Sequence, residues 1–434
     1  MSGTDPYVPG HGDATFSVLH YDLDLRYNPE TNRLDGDATL TCRTVLPAIA
    51  LHVDLRGLAA GKVSTRGIRL ARWTQRVDGV QLTASGSVPA GTDFTVRIRY
   101  SGHPGTVHDP ALGDAGWEEL TDGVIVAAQP HGAPAWFPCN DRPDDKATYS
   151  LSTTVPAGYV VAASGEPGPT RRGGSTTTWT HEQRYPMAAY LASLQIGRYD
   201  VRHLPGDVPI RVVAPADVGG PDFDASFGQQ PAMMSFFVDR FGPYPFDSYT
   251  SVVTDDPLEI PLESQSLSTF GRNFVSADWH AVRLVAHELA HQWFGNAVTA
   301  SSWSDIWLHE GFACYAEWLW SEESGGRSAA EWAEHYHQVL ADQAQDLVLE
   351  NPGPELMFDD RVYKRGALTL HVLRCTVGDT AFFDILRTWV ADRAGSSVNT
   401  AEFLEHCGRV SGEVSVSAAL RPWLESPDLP TLPA

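Results

Sequence analysis

The chain has 434 residues, with 54 Asp and Glu against 31 Lys and Arg, and a formal net charge of −23. That charge argues against a nucleic-acid partner and for a soluble protein. Its 42% hydrophobic content supplies cores for two or three domains, and no apolar run of about 18 residues predicts a membrane span. Residues 1–6 have neither the basic nor the apolar region of a signal peptide. Cys42, Cys139, Cys314, Cys375 and Cys407 are scattered and lack C-x-x-C spacing, which fits reduced thiols in a cytoplasmic protein.

From about residue 16 to 201 short alternating stretches recur, such as 21–27 and 94–100. Turn clusters at Asp35-Gly36-Asp37 and Arg172-Gly173-Gly174-Ser175 separate them, so this half is expected to be mostly antiparallel sheet. From about Gln229 onward helical patterns dominate, as in residues 233–241 and 329–345. Short strands are expected at 210–213 and 250–253. Residues 382–386 and 402–404 begin amphipathic helices, and Trp423-Leu424-Glu425 precedes a proline-rich stop. No internal repeat or low-complexity linker is present.

The chemistry concentrates at His287-Glu288-Leu289-Ala290-His291 and at Glu310, nineteen positions after His291. Histidines four apart on a helix share one face. Val282, Val285, Ala286 and Leu289 recur at helical spacing, and Gly295-Asn296 supplies a stop. Two imidazoles and the Glu310 carboxylate can fill three corners of a zinc tetrahedron, leaving the fourth for water and Glu288 beside it as general base. Residues 304–319 read as a second helix, with Glu310 near its start and Glu317 on the same face as an outer acceptor for a ligating histidine. His309 adjoins Glu310 but points about 100° away, so it reads as a neighbour and not a ligand.

These residues, in the wording H-E-L-A-H-Q-W-F-G-N and W-L-H-E-G-F-A-C-Y-A-E, resemble the aminopeptidase N family of gluzincins, which also contains leukotriene hydrolase. Four more blocks carry the likeness in the right order. They are Gln129 with the segment Pro138-Cys139-Asn140-Asp141-Arg142-Pro143 to Lys146-Ala147-Thr148-Tyr149, the stretch 186–192 similar to a strand closing the N-terminal domain, Leu262-Glu263-Ser264, and Tyr363-Lys364-Arg365-Gly366-Ala367. The family's usual G-x-M-E-N is Ile260-Pro261-Leu262-Glu263-Ser264 here, so Pro261 has no N–H to offer a substrate.

The resemblance implies an α+β protein: an N-terminal antiparallel β saddle domain over residues 1–202, then a thermolysin-like, mainly helical catalytic domain over 203–434. It implies one Zn2+ per chain on His287, His291 and Glu310, with Glu288 and Tyr363 catalytic, Tyr363 as oxyanion donor. Glu263 and Gln129 would hold the α-ammonium of peptide substrates with a free N-terminus. The expected assembly is a monomer or weak homo-oligomer, a short member lacking the family's C-terminal helical domain. The activity expected is removal of N-terminal residues. Two other readings are a catalytically inactive binding scaffold and an epoxide hydrolase-like activity on the same zinc.

Overall fold

Along the strand Phe16–Asn28 alternate side chains are buried, among them Tyr21, Leu23, Leu25 and Tyr27. The computed structural model describes residues 5–413 and 415–433, so Met1 to Thr4 of the N-terminal segment lie outside it. This strand is central to an eight-stranded sheet, pairing antiparallel with Arg33–Thr44 and parallel with Lys146–Pro156. That parallel pairing is the exception in a sheet whose other ladders are antiparallel. A five-stranded sheet containing Gly123–Ala127 and a three-stranded sheet complete the β-rich half.

Asp35-Gly36-Asp37, expected as a turn, instead runs through the strand Arg33–Thr44. Gly36 serves packing: a Cβ there would meet Tyr100 Cζ at 2.2 Å. The chain reverses earlier, at Pro29–Thr31, with Asn32 in the left-handed region at φ 45°. The turn expected at residues 172–175 is present, flanked by the pairing of Arg171–Arg172 with Thr176–Ala188. The block 186–192, expected as a strand, ends the strand Thr176–Ala188 and then tightens into a 3-10 turn at Ala189–Leu191.

The second half holds a five-stranded sheet in the order Asp200–Leu204, Ile210–Ala214, Tyr249–Thr254, Leu267–Gly271, Leu262–Ser264. Both expected strands are in it and pair in parallel. Asp200–Leu204 spans positions 202 and 203 and pairs along its length with Ile210–Ala214. The helices are α1 (Pro221–Ala225), α2 (Gln230–Phe241), α3 (Trp279–Ala290), α4 (Trp307–Glu323), α5 (Ala329–Ala341), α6 (Asp360–Arg393), α7 (Thr400–Ser411) and α8 (Ser415–Glu425). Capping boxes at Ser328 and Asn399 start α5 and α7. Gly378, at φ 77°, breaks α6, which explains why residues 382–386 read as a helix start. Among the described residues no helix is long and apolar enough to cross a membrane.

Two features of this half position the cleft. Lys146, from the N-terminal half, donates to the carbonyls of Asn296 and Ala297 at 3.0 Å and of Ser396 at 3.2 Å, tying the eight-stranded sheet to the loop that follows α3. Helix α4 is buried from Trp307 to Ser321 and crosses α6 at Gly311 and Gly366. A Cβ on either glycine would lie 2.7 Å from the other's Cα, so only hydrogen fits at the crossing. This close approach brings Tyr363, one turn before Gly366, toward Glu310.

Gly366→Ala should therefore push α6 from α4 and destabilise the fold by about 1–3 kcal/mol. Urea unfolding measures this, and an unchanged midpoint would show that the crossing has room to spare.

Candidate active site

Helix α3 buries Val285, Ala286, Leu289 and Ala290 and turns His287, Glu288 and His291 toward a cleft of about 420 Å³. The cleft is lined by His287, Glu288, His291, Glu310, Glu317, Tyr363, Glu263 and Gln129, so every residue singled out from the sequence reaches it. His287 Nε2 and His291 Nε2 each lie 3.4 Å from Glu310 Oε2. One ligand atom from each of these three residues lies within 4.8 Å of the others.

The outer nitrogens of the two histidines are already used. His291 Nδ1 donates to the Phe294 carbonyl at 3.0 Å, and His287 Nδ1 donates to Glu317 Oε1 at 2.8 Å. Because those acceptors fix a proton on Nδ1, each Nε2 is left facing the shared point, where it can offer a lone pair to a cation. Gly295 permits the arrangement: it adopts φ 115°, and a Cβ there would sit 3.1 Å from His291 Nδ1.

The electrostatics also fit a cation. Burial opposes charge on His291, but Glu310, Glu263 and Glu288 together outweigh it and push the imidazole up to about 10. Against its own burial Glu310 is held well below the usual carboxylate range, chiefly by the charge of His291. A proton on the imidazoles or a divalent cation between them answers the same demand. Two nitrogens and one carboxylate oxygen are a donor set that suits zinc.

Glu288 and Glu263 complete the acidic lining. Burial pushes Glu288 up to about 8, and its Oε2 has no hydrogen-bond partner among the described residues. Burial also raises Glu263, which lies on the edge strand Leu262–Ser264 with ligand-distance atoms shared by Glu288 and His291. That strand is pinned to the helix-end loop by side chains of the H-E-L-A-H-Q-W-F-G-N run. Gln292 Nε2 and Asn296 Nδ2 donate to the Ser264 carbonyl at 3.1 and 3.0 Å, and the Ser266 N–H donates to Gln292 Oε1 at 2.7 Å. Gln129, from the N-terminal half, favours the charged form of Glu263, and its Nε2 is buried without a hydrogen-bond partner among the described residues.

Tyr363 stacks its ring near that of His287, centroids 6.0 Å apart, and burial raises its hydroxyl pKa so that it stays a donor. His309 turns away: its Nε2 accepts the Ala300 N–H at 2.7 Å. Burial lowers this imidazole to about 3, so it is neutral.

Three contributors escaped the sequence reading. Arg283 and Lys364 line the cleft, and Tyr190, buried with an unpartnered hydroxyl, lies within electrostatic reach of Glu263 and Glu310. Arg283 stands four residues before His287, so helical spacing alone could have flagged it.

The chain matches the peptidase M1 N-terminal domain over residues 17–191 and the peptidase family M1 domain over residues 225–423. Aminopeptidase M1 of Arabidopsis thaliana is 26% identical over 72% of this chain and 38% of that protein. Aminopeptidase N of Oryctolagus cuniculus is 26% identical over 86% of this chain and 43% of that protein. The chain thus spans about two fifths of the length of these relatives. An M1 zinc metallopeptidase from Deinococcus radiodurans superposes with a TM-score of 0.89 at 33% identity, over 99% of both chains. A mutant of it bound to a Tyr-Ser-Ala substrate matches equally well, with a TM-score of 0.89. A third of the sequence is thus shared along nearly the whole of a solved two-domain member, and this chain belongs to the M1 family of zinc metallopeptidases.

Proposed function

We propose that this chain is a zinc aminopeptidase that hydrolyses the first peptide bond of peptides with a free N-terminus. The observation that carries the reading is the place of Glu263, whose carboxylate shares a 4.8 Å cluster with Glu288 and His291. An anionic anchor this close to the candidate base leaves room for one residue between a bound α-ammonium and the scissile carbonyl. His287, His291 and Glu310 would hold the ion, which supplies Lewis acidity to polarise a carbonyl and lower the pKa of a water.

The remaining work belongs to side chains. Glu263, assisted by Gln129, binds the α-ammonium and fixes the register. Glu288, whose Oε2 has no hydrogen-bond partner among the described residues, takes a proton from the attacking water and returns it to the leaving nitrogen. Tyr363 donates its O–H to the oxyanion that develops on the substrate carbonyl. The relatives named above as aminopeptidases support this assignment, and nothing in the cleft favours an inactive scaffold or an epoxide substrate.

Glu288→Gln should keep one zinc per chain, measured by elemental analysis, while turnover of aminoacyl fluorogenic amides falls by roughly 10²–10⁴. Tyr363→Phe should lower kcat by roughly 10²–10³ with little change in KM, and a pure KM effect would remove its oxyanion role. N-acetylated peptides should be refused; their rapid cleavage would refute the exopeptidase assignment.

A further inference from the structure

Arg283 and His287 on α3 and His291, which caps it, form one stripe at four-residue spacing. Arg283 Nη1 donates to Glu317 Oε2 at 3.0 Å, and the other oxygen of that carboxylate accepts from His287 Nδ1 at 2.8 Å. Arg283 Nη2 lies 3.2 Å from His280 Nδ1, so the guanidinium is held on two sides. The Glu317 side chain is 3% exposed and that of Arg283 21%, so their bond is largely shielded from water. Lys364, from α6, adds a second positive charge toward Glu317. Burial alone would raise the Glu317 carboxyl, but the Arg283 guanidinium leads in holding it at about 2.

The two histidines are thus oriented by different means. His291 leans on a backbone carbonyl, that of Phe294, which the turn after α3 fixes. His287 leans on a side chain, whose terminal carboxylate torsion is soft unless both oxygens are engaged. Arg283 engages the second oxygen.

We propose that Arg283 is a positioning residue which, by locking the Glu317 carboxylate, fixes the ring plane of His287 and so strengthens zinc binding by the His287, His291 and Glu310 set. The proposal rests on the zinc reading above. Chelator-competition titration of the purified protein with zinc tests it without turnover, and thermal unfolding of the metal-free forms monitors folding separately. Arg283→Met is expected to weaken zinc affinity roughly ten-fold or more, and Arg283→Lys to recover most of the loss. In a Glu317→Ala background Arg283→Met should cost nothing further, since its partner is gone. Equal affinities for the parent chain and Arg283→Met would overturn the proposal. So would full additivity in the double variant, which would make Arg283 a general packing residue. A third contrary result is unchanged zinc affinity with slowing confined to peptides bearing a free C-terminal carboxylate, placing Arg283 on the substrate. Failure of the parent chain to bind zinc would instead sink the metal reading itself.

Discussion

Four glutamates, Glu263, Glu288, Glu310 and Glu317, line one cleft, and three of them are almost wholly buried. Taking a carboxylate out of water costs about several kcal/mol after relaxation, and crowding like charges adds to it. Such a cluster persists only where positive charge is delivered at fixed points. Arg283 answers Glu317, and the imidazoles of His287 and His291, with the ion they would hold, answer Glu310. Glu288 has no such partner for its Oε2 among the described residues, a state that suits the proton-accepting role proposed for it. The rest of the fold can be understood as the scaffold that keeps these charges from relaxing apart.

That scaffold relies on contact between parts distant in sequence. Lys146 reaches from the N-terminal half to three carbonyls around the loop after α3. Gln292 and Asn296 hold the edge strand that carries Glu263, and the Gly311–Gly366 crossing sets α6, and with it Tyr363, against α4. The sequence blocks that flank the metal motif thus include residues that bolt the chemistry in place.

The site was more legible in the sequence than the scaffold, for a physical reason. Spacing within α3 and within α4 is local, so helical period alone pairs His287 with His291 and Glu310 with Glu317, while joining the two pairs took the donor chemistry and the motif wording. Gly36 was misread because a glycine between two aspartates looks like a turn, whereas the cause is the Tyr100 ring from a neighbouring strand. The parallel pairing of Phe16–Asn28 with Lys146–Pro156 joins segments over a hundred residues apart, and strand alternation does not encode a partner. Tyr190 lies in the stretch 186–192 expected as a strand, and the 3-10 turn that replaces the end of that strand brings it within electrostatic reach of Glu263 and Glu310.

Helix α3 also gives the cleft a direction. Glu263 gathers with Glu288 and His291 toward the C-terminal end of the motif, while Arg283 lies a turn before His287 at the other end. On α4, Glu310 and Glu317 are seven residues apart, two helical turns, and face the same stripe: the first meets both histidines, the second meets His287 and Arg283. Two helices in register thus offer alternating acid and base along one line, with His287 shared between both acids. The register of α3 on α4 therefore sets which acid meets which imidazole, and sliding one helix along the other would break the pairings of Glu310 and Glu317 together.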